Sequence, residues 1–291
     1  MFDTMIIGQV CRDTNTDYDG RVEHRPGGAV LYSGHAAAAI GGNVAVVPKG
    51  NPADLDPAAC FADISGVTVF PRVSARSTEM ENTYFTADRE RRRSICAASI
   101  DPYTPADLPA EAARIYHIAG LVTGDISDDL IRECAKRGDV AVDVQCMMRR
   151  VEPDRTLKLH DWDAKYELLP LIRYLKTDAA EAEVLTGTDD RERAARLLSL
   201  WGAKEVVITH NTEVIAFDGT TMYHEPLRPR NLSGRTGRGD TTFAGYLIER
   251  LSKPIPEALA FAAALVSLKM ETPGPFLGTR DDVLAFRKEF Y

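Results

Sequence analysis

A glycine-rich segment in the last third of the chain carries the residues with the clearest chemistry. Gly234 to Gly245 reads GRTGRGDTTFAG, a turn that runs into an apolar helix. Such a turn leaves several backbone amides without partners and directs them, with the positive end of the helix dipole, at one point. Gly237 and Gly239 let the backbone approach an oxyanion closely, and Asp240 can accept a proton beside it. The segment therefore predicts an anion hole with an adjacent carboxylate base.

The same segment also has a simpler structural interpretation. Gly237 and Gly239 can form a tight turn, and Asp240 can cap the helix that it begins. Two common phosphate-binding patterns do not fit. No Gly-Lys-Ser/Thr follows four residues after a glycine, and a dinucleotide fingerprint belongs after the first strand, where Gly8 to Arg12 reads GQVCR. A dinucleotide-dependent oxidoreductase is therefore disfavoured, and a different phosphate-binding device is predicted.

The elements that must position these residues are predicted by hydrophobic periodicity. Short apolar runs rich in β-branched residues alternate with longer segments of helical period, which is typical of a parallel sheet covered by helices. The predicted strands are Met5–Gly8, Val44–Val47, Val67–Phe70, Ile115–Ala119, Val140–Val144, Tyr174–Lys176 and Glu205–Thr209. The predicted helices are Gly28–Ile40, Ser127–Arg137, Ala179–Leu185, Arg191–Trp201, Asp240–Arg250 and Pro256–Met270. The pattern predicts an α/β fold.

Two polar segments interrupt this alternation. Asp13 to Arg25 is turn-rich, and Ser77 to Ser99 alternates like two strands joined by the charged turn Asp88 to Arg91. Together they predict a small antiparallel flap over one edge of the core, at about residues 12–26 and 74–99. A flap in this place suggests a lid.

Composition limits the classes of protein that the chain can belong to. It has 291 residues, of which 44% are hydrophobic and 27% charged, and neither a repeat nor a Gly/Ser linker, so we expect one globular domain over residues 1–291. The net charge of −8 argues against a nucleic-acid partner. Five scattered cysteines without a CxxC pair predict no disulfide framework or zinc site. No signal peptide and no apolar run of roughly 20 residues is present, so we expect a cytoplasmic protein without a membrane partner.

At these motifs the sequence resembles the ribokinase-like (PfkB) carbohydrate kinases over nearly the whole chain. The family's carboxyl-terminal signature is D-T-x-G-A-G-D; here Gly237, Gly239 and Asp240 are retained, and Arg238 replaces the alanine. The resemblance implies a three-layer sandwich with a central, mostly parallel sheet and a small β lid. It also implies a catalytic base at Asp240 and an anion hole in the backbone of residues 237–239.

The resemblance also implies the acceptor side of the site. An alanine-rich helix follows Gly27 and Gly28, and this spacing matches the segment that forms the bottom of the sugar site in the family. Tyr32 stands where ribokinases commonly have asparagine. Asp13 matches the family's hydroxyl-binding aspartate. We therefore expect these four residues to bind substrate. Without the resemblance, Asp13 is interpreted as a turn-forming carboxylate and the helix as core packing.

Further residues match the donor side of the family's site. The segment KTDAAE, from Lys176 to Glu181, resembles the N-x-x-E motif with Asp178 in place of asparagine, and the resemblance implies Mg²⁺ and its waters at Asp178 and Glu181. The same pair has capping-box spacing. Thr209 and Asn211 stand where the family has Thr-x-Gly, so they and Lys176 are predicted to contact the nucleotide.

The predicted function is an ATP-dependent kinase that moves the γ-phosphoryl group to a hydroxyl of a sugar, polyol or nucleoside, with Mg²⁺. The lid excludes water from the reaction, and lid strands of this family can pair between subunits, so a homodimer through the lid is expected. Departures from the family pattern at Gly234, Tyr32, Asp178 and Asn211 keep one alternative open, a non-catalytic ligand-binding or regulatory protein on the same fold. Retention of Asp240 speaks against that alternative.

Overall fold

The described strands build a nine-stranded sheet, a four-stranded sheet and two pairs of short strands. The computed structural model describes residues 1–86 and 91–291, so Asp88, Arg89 and Glu90 of the predicted flap turn lie outside the described residues. The strands are β1 (Phe2–Ile7), β2 (Cys11–Thr16), β3 (Val22–Gly27), β4 (Val44–Val47), β5 (Lys49–Gly50), β6 (Val67–Val69), β7 (Arg72–Val73), β8 (Thr78–Tyr84), β9 (Arg92–Ala98), β10 (Ala113–Ile118), β11 (Asp139–Asp143), β12 (Arg149–Val151), β13 (Leu157–Leu159), β14 (Tyr174–Asp178), β15 (Glu205–Thr209), β16 (Glu213–Phe217) and β17 (Met222–Pro226).

The central sheet has nine strands in the described part of the chain, in the order β17-β16-β15-β14-β11-β10-β1-β4-β6. Neighbours from β15 to β6 are parallel, whereas β16 and β17 form an antiparallel edge. The inner strands are apolar on both faces, as a sheet covered on both sides requires. All seven predicted strands belong to this sheet. The β16–β17 hairpin lay outside the prediction.

Helices cover both faces of the sheet. They are α1 (Ala29–Ala39), α2 (Asp128–Arg137), α3 (Gln145–Met148), α4 (Lys165–Leu168), α5 (Ala179–Thr186), α6 (Arg191–Leu200), α7 (Arg238–Arg250), α8 (Ile255–Lys269) and α9 (Arg280–Phe290). Met5 and Ile7 pack into one core with α2, α5 and α6, while Ile6 packs into another with α1, α7, α8 and α9. The predicted three-layer α/β sandwich is therefore confirmed. No helix within the described ranges is long and apolar enough to cross a membrane.

The six predicted helices are present with shifted ends. The helix expected to begin at Asp240 begins at Arg238, because Gly237 adopts the left-handed conformation and starts the turn earlier. The carboxyl-terminal α9 was not predicted, although Thr279 and Asp282 form a capping box at its start.

The small sheet corresponds to the predicted flap and has the strand order β3-β2-β8-β9. It is not wholly antiparallel as expected, because β2 and β8 pair in parallel while each forms an antiparallel hairpin with its own neighbour. Both hairpins leave the body in the same direction, so their first strands lie side by side with the same polarity. We refer to this four-stranded sheet as the lid. Its β9 edge also touches the β12–β13 hairpin, where the Cys96 amide donates to the Arg155 carbonyl over 3.0 Å.

Candidate active site

A cleft of about 670 Å³ lies between the lid and the carboxyl ends of the parallel strands. Its walls are made by one face of the lid, because side chains alternate along a strand, and by loops that follow β11, β14 and β15. The lid contributes Cys11, Asp13, Met80, Asn82, Tyr84, Arg92 and Ser94. The body contributes Gly28, Tyr32, Gln145, Arg149, Lys158, Lys176, Asp178, Glu181, Thr209 and the segment from Arg235 to Asp240. The cleft therefore collects most of the predicted site residues.

The anion hole predicted at the start of α7 opens into this cleft. Gly237 has a φ of 78°, and a side chain there would overlap the ring of Tyr32. A Cβ atom on Gly239 would lie 2.8 Å from the Nζ of Lys176. Gly237 is therefore required both by its left-handed backbone conformation and by close packing, whereas a side chain on Gly239 would have to displace the end of the Lys176 side chain.

The three predicted amide donors of the anion hole do not all face it. The amide of Arg238 donates to the carbonyl of Arg235 over 3.1 Å, because that bond closes the turn in front of α7. The amide of Gly237, just before the helix, and the amides of Gly239 and Asp240 have no backbone acceptor among the described residues. Two donors of the first helical turn thus remain for an anion, with the helix dipole behind them.

Asp240 is the third residue of α7 and its carboxylate lines the cleft beside these donors. Burial and the charge of Asp143 raise the pKa of Asp240 to about 6, whereas the cations Lys176, Arg149 and Lys269 act in the opposite direction. The carboxylate is consequently ionised at neutral pH and more basic than an exposed aspartate. These are the properties of a general base.

A buried ion pair holds Lys176 next to the anion hole. Its Nζ lies 2.9 Å from the carboxylate of Asp143, and both side chains are almost fully buried. Burial alone lowers the pKa of a lysine, but the carboxylates of Asp143, Glu181 and Asp178 together raise that of Lys176 above its ordinary value. Lys176 therefore keeps its charge in the cleft.

Positive charge is concentrated around the anion hole although the chain as a whole is acidic. Five cations line this half of the cleft against the three carboxylates of Asp178, Glu181 and Asp240; they are Arg149, Lys158, Lys176, Arg235 and Arg238. The net charge of the whole chain is −8. A local excess of cations in an acidic protein favours an anionic ligand at this place.

The predicted metal residues also serve the start of α5. Asp178 and Glu181 form a capping box, with each backbone amide donating to the other's carboxylate over 2.9 and 2.8 Å. Arg149 donates to the second oxygen of Glu181 over 3.1 Å. Burial and the charge of Asp178 raise the pKa of Glu181 to about 7. Both oxygens of Glu181 thus have partners, which fits a Mg²⁺ ion held by donor phosphates and water better than one held in a cage of carboxylates.

The acceptor end of the cleft is lined by hydrogen-bonding side chains. Asp13 is buried, and its Oδ1 accepts from the Sγ of Cys11 over 2.8 Å. Burial raises the pKa of Asp13, while the bond from Cys11 and the charge of Arg92 lower it. Gly27 packs on the same carboxylate, since a side chain there would overlap it. Gly28, with a φ of 110°, packs on the carbonyl of Gln9.

Tyr32 lies between the acceptor end and the anion hole. Its ring covers Gly237, and its buried hydroxyl has no partner within the described part of the chain. A buried hydroxyl without a partner is costly, so a ligand hydroxyl is the natural partner for it.

Two predicted nucleotide contacts separate in the structure. Thr209 is buried at the end of β15 and lines the cleft. Asn211 does not line it, because it lies two residues further, in the exposed turn to β16. The contact of Asn211 with the nucleotide therefore stays a prediction that the lining of this cleft does not support.

Several lining residues were not predicted from the sequence. The side-chain nitrogen of Asn82 donates to the side-chain oxygen of Asn15 over 3.1 Å, and its side-chain oxygen accepts from the hydroxyl of Ser94 over 2.7 Å. These bonds form a polar network on the inner face of the lid. These residues could have been predicted from the sequence, because side chains alternate along β8 and Met80, Asn82 and Tyr84 therefore share one face.

Comparisons with known proteins agree with this geometry. The model of the pfkB family of carbohydrate kinases matches residues 1–280. The cytidine kinase of Thermococcus kodakarensis is 28% identical over 254 residues, which are 85% of this chain and 88% of that protein.

Two solved structures are more similar. One is a pyrophosphate-dependent kinase of the ribokinase family complexed with a pyrophosphate analogue and myo-inositol; it is 34% identical, with a TM-score of 0.88 over 97% of this chain and 99% of the other. The second is a pyrophosphate-dependent myo-inositol-1 kinase that an asparagine-to-leucine and a serine-to-leucine exchange convert into a myo-inositol-3 kinase. It is 32% identical, with a TM-score of 0.87 over 99% of both chains.

The electrostatic environment of Asp240 predicts that replacing it by Asn stabilises the protein. Folding raises its pKa to about 6, so the wild type loses stability as the pH rises from about 4 to about 6, whereas Asp240→Asn does not. We expect a gain of about 1–2 kcal/mol in the free energy of unfolding at about pH 8, after allowance for solvent in the cleft, and none below about pH 4.

Urea unfolding at several pH values measures this difference. The exposed Asp189→Asn is the control and should change little across the same range. A variant Asp240→Asn that is less stable than the wild type at about pH 8 would contradict the assignment of a destabilised carboxylate.

Proposed function

The chain belongs to the pfkB family of carbohydrate kinases, and we propose that it transfers a terminal phosphoryl group to a hydroxyl of a sugar, polyol or nucleoside with Asp240 as the base. One observation carries this proposal. The carboxylate of Asp240 and the amide donors of the first turn of α7 face the same cleft, so an alcohol and a phosphoryl group can meet between them. A protein that only bound a ligand would have no use for a base in that place.

Asp240 acts on the acceptor. Its carboxylate orients the attacking hydroxyl and takes the proton as the bond to phosphorus forms. Asp13 and the hydroxyl of Tyr32 bind further hydroxyls of the acceptor, which fixes the one that reacts. The lid covers this end of the cleft and excludes water, so transfer is favoured over hydrolysis.

The other half of the cleft stabilises the phosphoryl group in transit. Its charge spreads over the equatorial oxygens in a loose transition state, so catalysis depends on positioned donors and cations. The amides of Gly239 and Asp240, the ammonium of Lys176 and the guanidinium of Arg149 supply them. A bound Mg²⁺ would neutralise charge on the phosphates, and Asp178 and Glu181 would hold it through water.

ATP with Mg²⁺ is the donor that the family resemblance implies, and pyrophosphate is a second candidate that three observations favour. Within the described chain, no residue of β16, β17 or α8 lines the cleft, so these elements offer no wall for a nucleoside beyond the phosphates. Five cations suit a small, highly charged anion. The neighbour that is 34% identical is itself pyrophosphate-dependent.

A polyol is the acceptor that the lid favours. Asn15, Asn82 and Ser94 form a hydrogen-bonded row on its inner face, next to Asp13. Such a row matches several neighbouring hydroxyls better than a flat base. The related inositol kinase changes the position that it phosphorylates when one asparagine and one serine are exchanged for leucine. The Asn82–Ser94 pair is our candidate for that role here.

The remaining proposals concern assembly. We propose that residues 1–291 act as one domain with a discontinuous lid at about 12–26 and 74–99. β3 is an edge strand of the lid and is exposed from Val22 to His24. An open strand edge can pair with that of a second copy, which supports a homodimer through the lid.

Loss of the base should lower turnover strongly. We expect Asp240→Asn to reduce kcat by roughly 10²–10⁴-fold with little change in donor binding, because the base acts mainly in the transition state. For the wild type, kcat/KM should fall as the pH drops through about 6, since the carboxylate is then protonated. A pH-rate profile of both proteins measures this, and near-native turnover of the variant would remove Asp240 from the role of base.

The donor is identified by supplying ATP or pyrophosphate, each with Mg²⁺, to the protein and a panel of polyols, with the phosphorylated product followed by phosphorus NMR. We expect Lys158→Ala to raise the KM for the donor by about tenfold, because one phosphate contact is lost, and to leave the acceptor KM unchanged. Lys136→Ala, on α2 outside the cleft, is the control. A higher kcat/KM with ATP than with pyrophosphate eliminates the second candidate, and an unchanged donor KM in Lys158→Ala removes that residue from the donor site.

Asn82→Leu tests the acceptor assignment. We expect kcat/KM for the best polyol to fall by about 10–100-fold or the phosphorylated position to change, because a leucine leaves acceptor hydroxyls and Ser94 without partners. Thr83→Leu lies on the other face of the same strand and should behave like the wild type. Product analysis by NMR distinguishes the positional isomers. If the two leucine variants behave alike, the inner face of the lid does not select the acceptor.

A further inference from the structure

We propose that the buried ammonium of Lys269 is a resident cation that holds the backbone of the anion hole in its binding shape. It is a positioning residue, since it reaches the phosphoryl group only through the loop in front of α7. The inference rests on the proposed function, because it concerns the same site.

The contacts of Lys269 place it directly behind this loop. The residue is the last of α8, its side chain is 1% exposed, and its Nζ donates to the carbonyls of Gly234 and Thr236. These two residues precede Gly237, from which α7 begins. The amide of Gly234 donates to the carbonyl of Met270 over 2.7 Å, so the loop is fixed to the end of α8 at several points.

A positive charge is needed at this point because two carbonyl oxygens converge there. Their dipoles repel each other, so they require a shared donor or a cation. Tyr32, whose ring covers Gly237, also presents its ring to the Nζ at 5.3 Å from the centroid. The ammonium therefore fixes both the loop and the side chain that packs on it.

The charge of Lys269 is not neutralised by a partner. No carboxylate within the described residues lies within 4.0 Å of its Nζ. Burial lowers the pKa of Lys269 to about 7, while the more distant carboxylate of Asp240 favours the ammonium. In its charged form, which this pKa places below about pH 7, Lys269 adds positive potential behind the first turn of α7, where the phosphoryl group would lie.

Lys165 is a second buried lysine of this chain, and its role is structural. Its Nζ donates to the carbonyl of Leu185 over 2.8 Å, as Lys269 does to its carbonyls, but it also pairs with Asp161 at 2.7 Å. It lies on α4, away from the cleft. Lys165 is therefore a matched control for the loss of a buried ammonium.

The first measurement uses the wild type and needs no variant. If the loop already contains its cation, the rate of phosphoryl transfer in a buffer with only tetramethylammonium ions, which are too large for the space, should not rise when K⁺ or NH₄⁺ is added. A clear stimulation by either ion would overturn the inference, because it would mean that a site for the cation is still open.

The second measurement compares Lys269→Met, Lys269→Ala and Lys165→Met after thermal melting has established that each is folded. We expect both Lys269 variants to lose about 10²-fold in kcat with similar KM values, because the donors of the anion hole are displaced only slightly but catalysis depends on their position. In Lys269→Ala, NH₄⁺ or methylammonium should enter the vacated space and restore activity in a saturable way. Lys165→Met should keep its kcat and show no response to amines.

Each result bears on the inference. A folded Lys269→Met with the kcat of the wild type overturns it, and so does a folded Lys269→Ala that no amine restores. If the Lys269 variants do not fold, the wild-type cation test decides alone. Absence of transfer by the wild type with every donor and acceptor would instead refute the proposed function and the inference with it, whereas an active wild type with a fully active Lys269→Met refutes the inference only.

Discussion

The proposed site depends on placing a carboxylate base and an anion-binding helix turn within the same few residues of α7. These two tasks oppose each other, because the charge of Asp240 repels the phosphates that the amides of Gly239 and Asp240 attract. The structure compensates with cations on several sides: Lys176 from β14, Arg149 from β12 and Lys269 from α8 all favour the ionised carboxylate. The first turn of α7 is therefore useful only together with elements that are far apart in the chain.

The fold explains how these elements meet. Parallel strands bring their carboxyl ends to one edge, so Asp143 of β11 and Lys176 of β14 form a buried pair beneath the cleft. The lid closes that edge with residues from two hairpins that pair in parallel. Contact between β9 and the β12–β13 hairpin joins the acceptor-binding lid to the segment that carries Arg149 and Lys158. The proposed acceptor and donor ends of the cleft are thus connected through one continuous surface.

Local patterns predicted a large part of this arrangement. The apolar runs gave the central sheet, and the glycine-rich turn gave Asp240 and its neighbours. Local patterns do not predict which distant segments pair. The parallel β2–β8 pair and the network at Asn82 were therefore found only in the structure. Lys269 ends an otherwise apolar helix and reads as a helix-terminal cation. Asn211 lies in the exposed turn between β15 and β16 and does not line the cleft, which the motif alone did not show.

The most direct test of the central claim is a carbon-13 NMR titration of the Asp240 carboxyl, assigned by its absence in Asp240→Asn, in the wild type and in Lys176→Met. The account predicts a pKa of about 6 in the wild type and a higher one in Lys176→Met, because burial persists while the nearest compensating cation is removed. An ordinary aspartate pKa of about 4 in the wild type would contradict this account, and so would an Asp240 pKa that is the same in Lys176→Met as in the wild type.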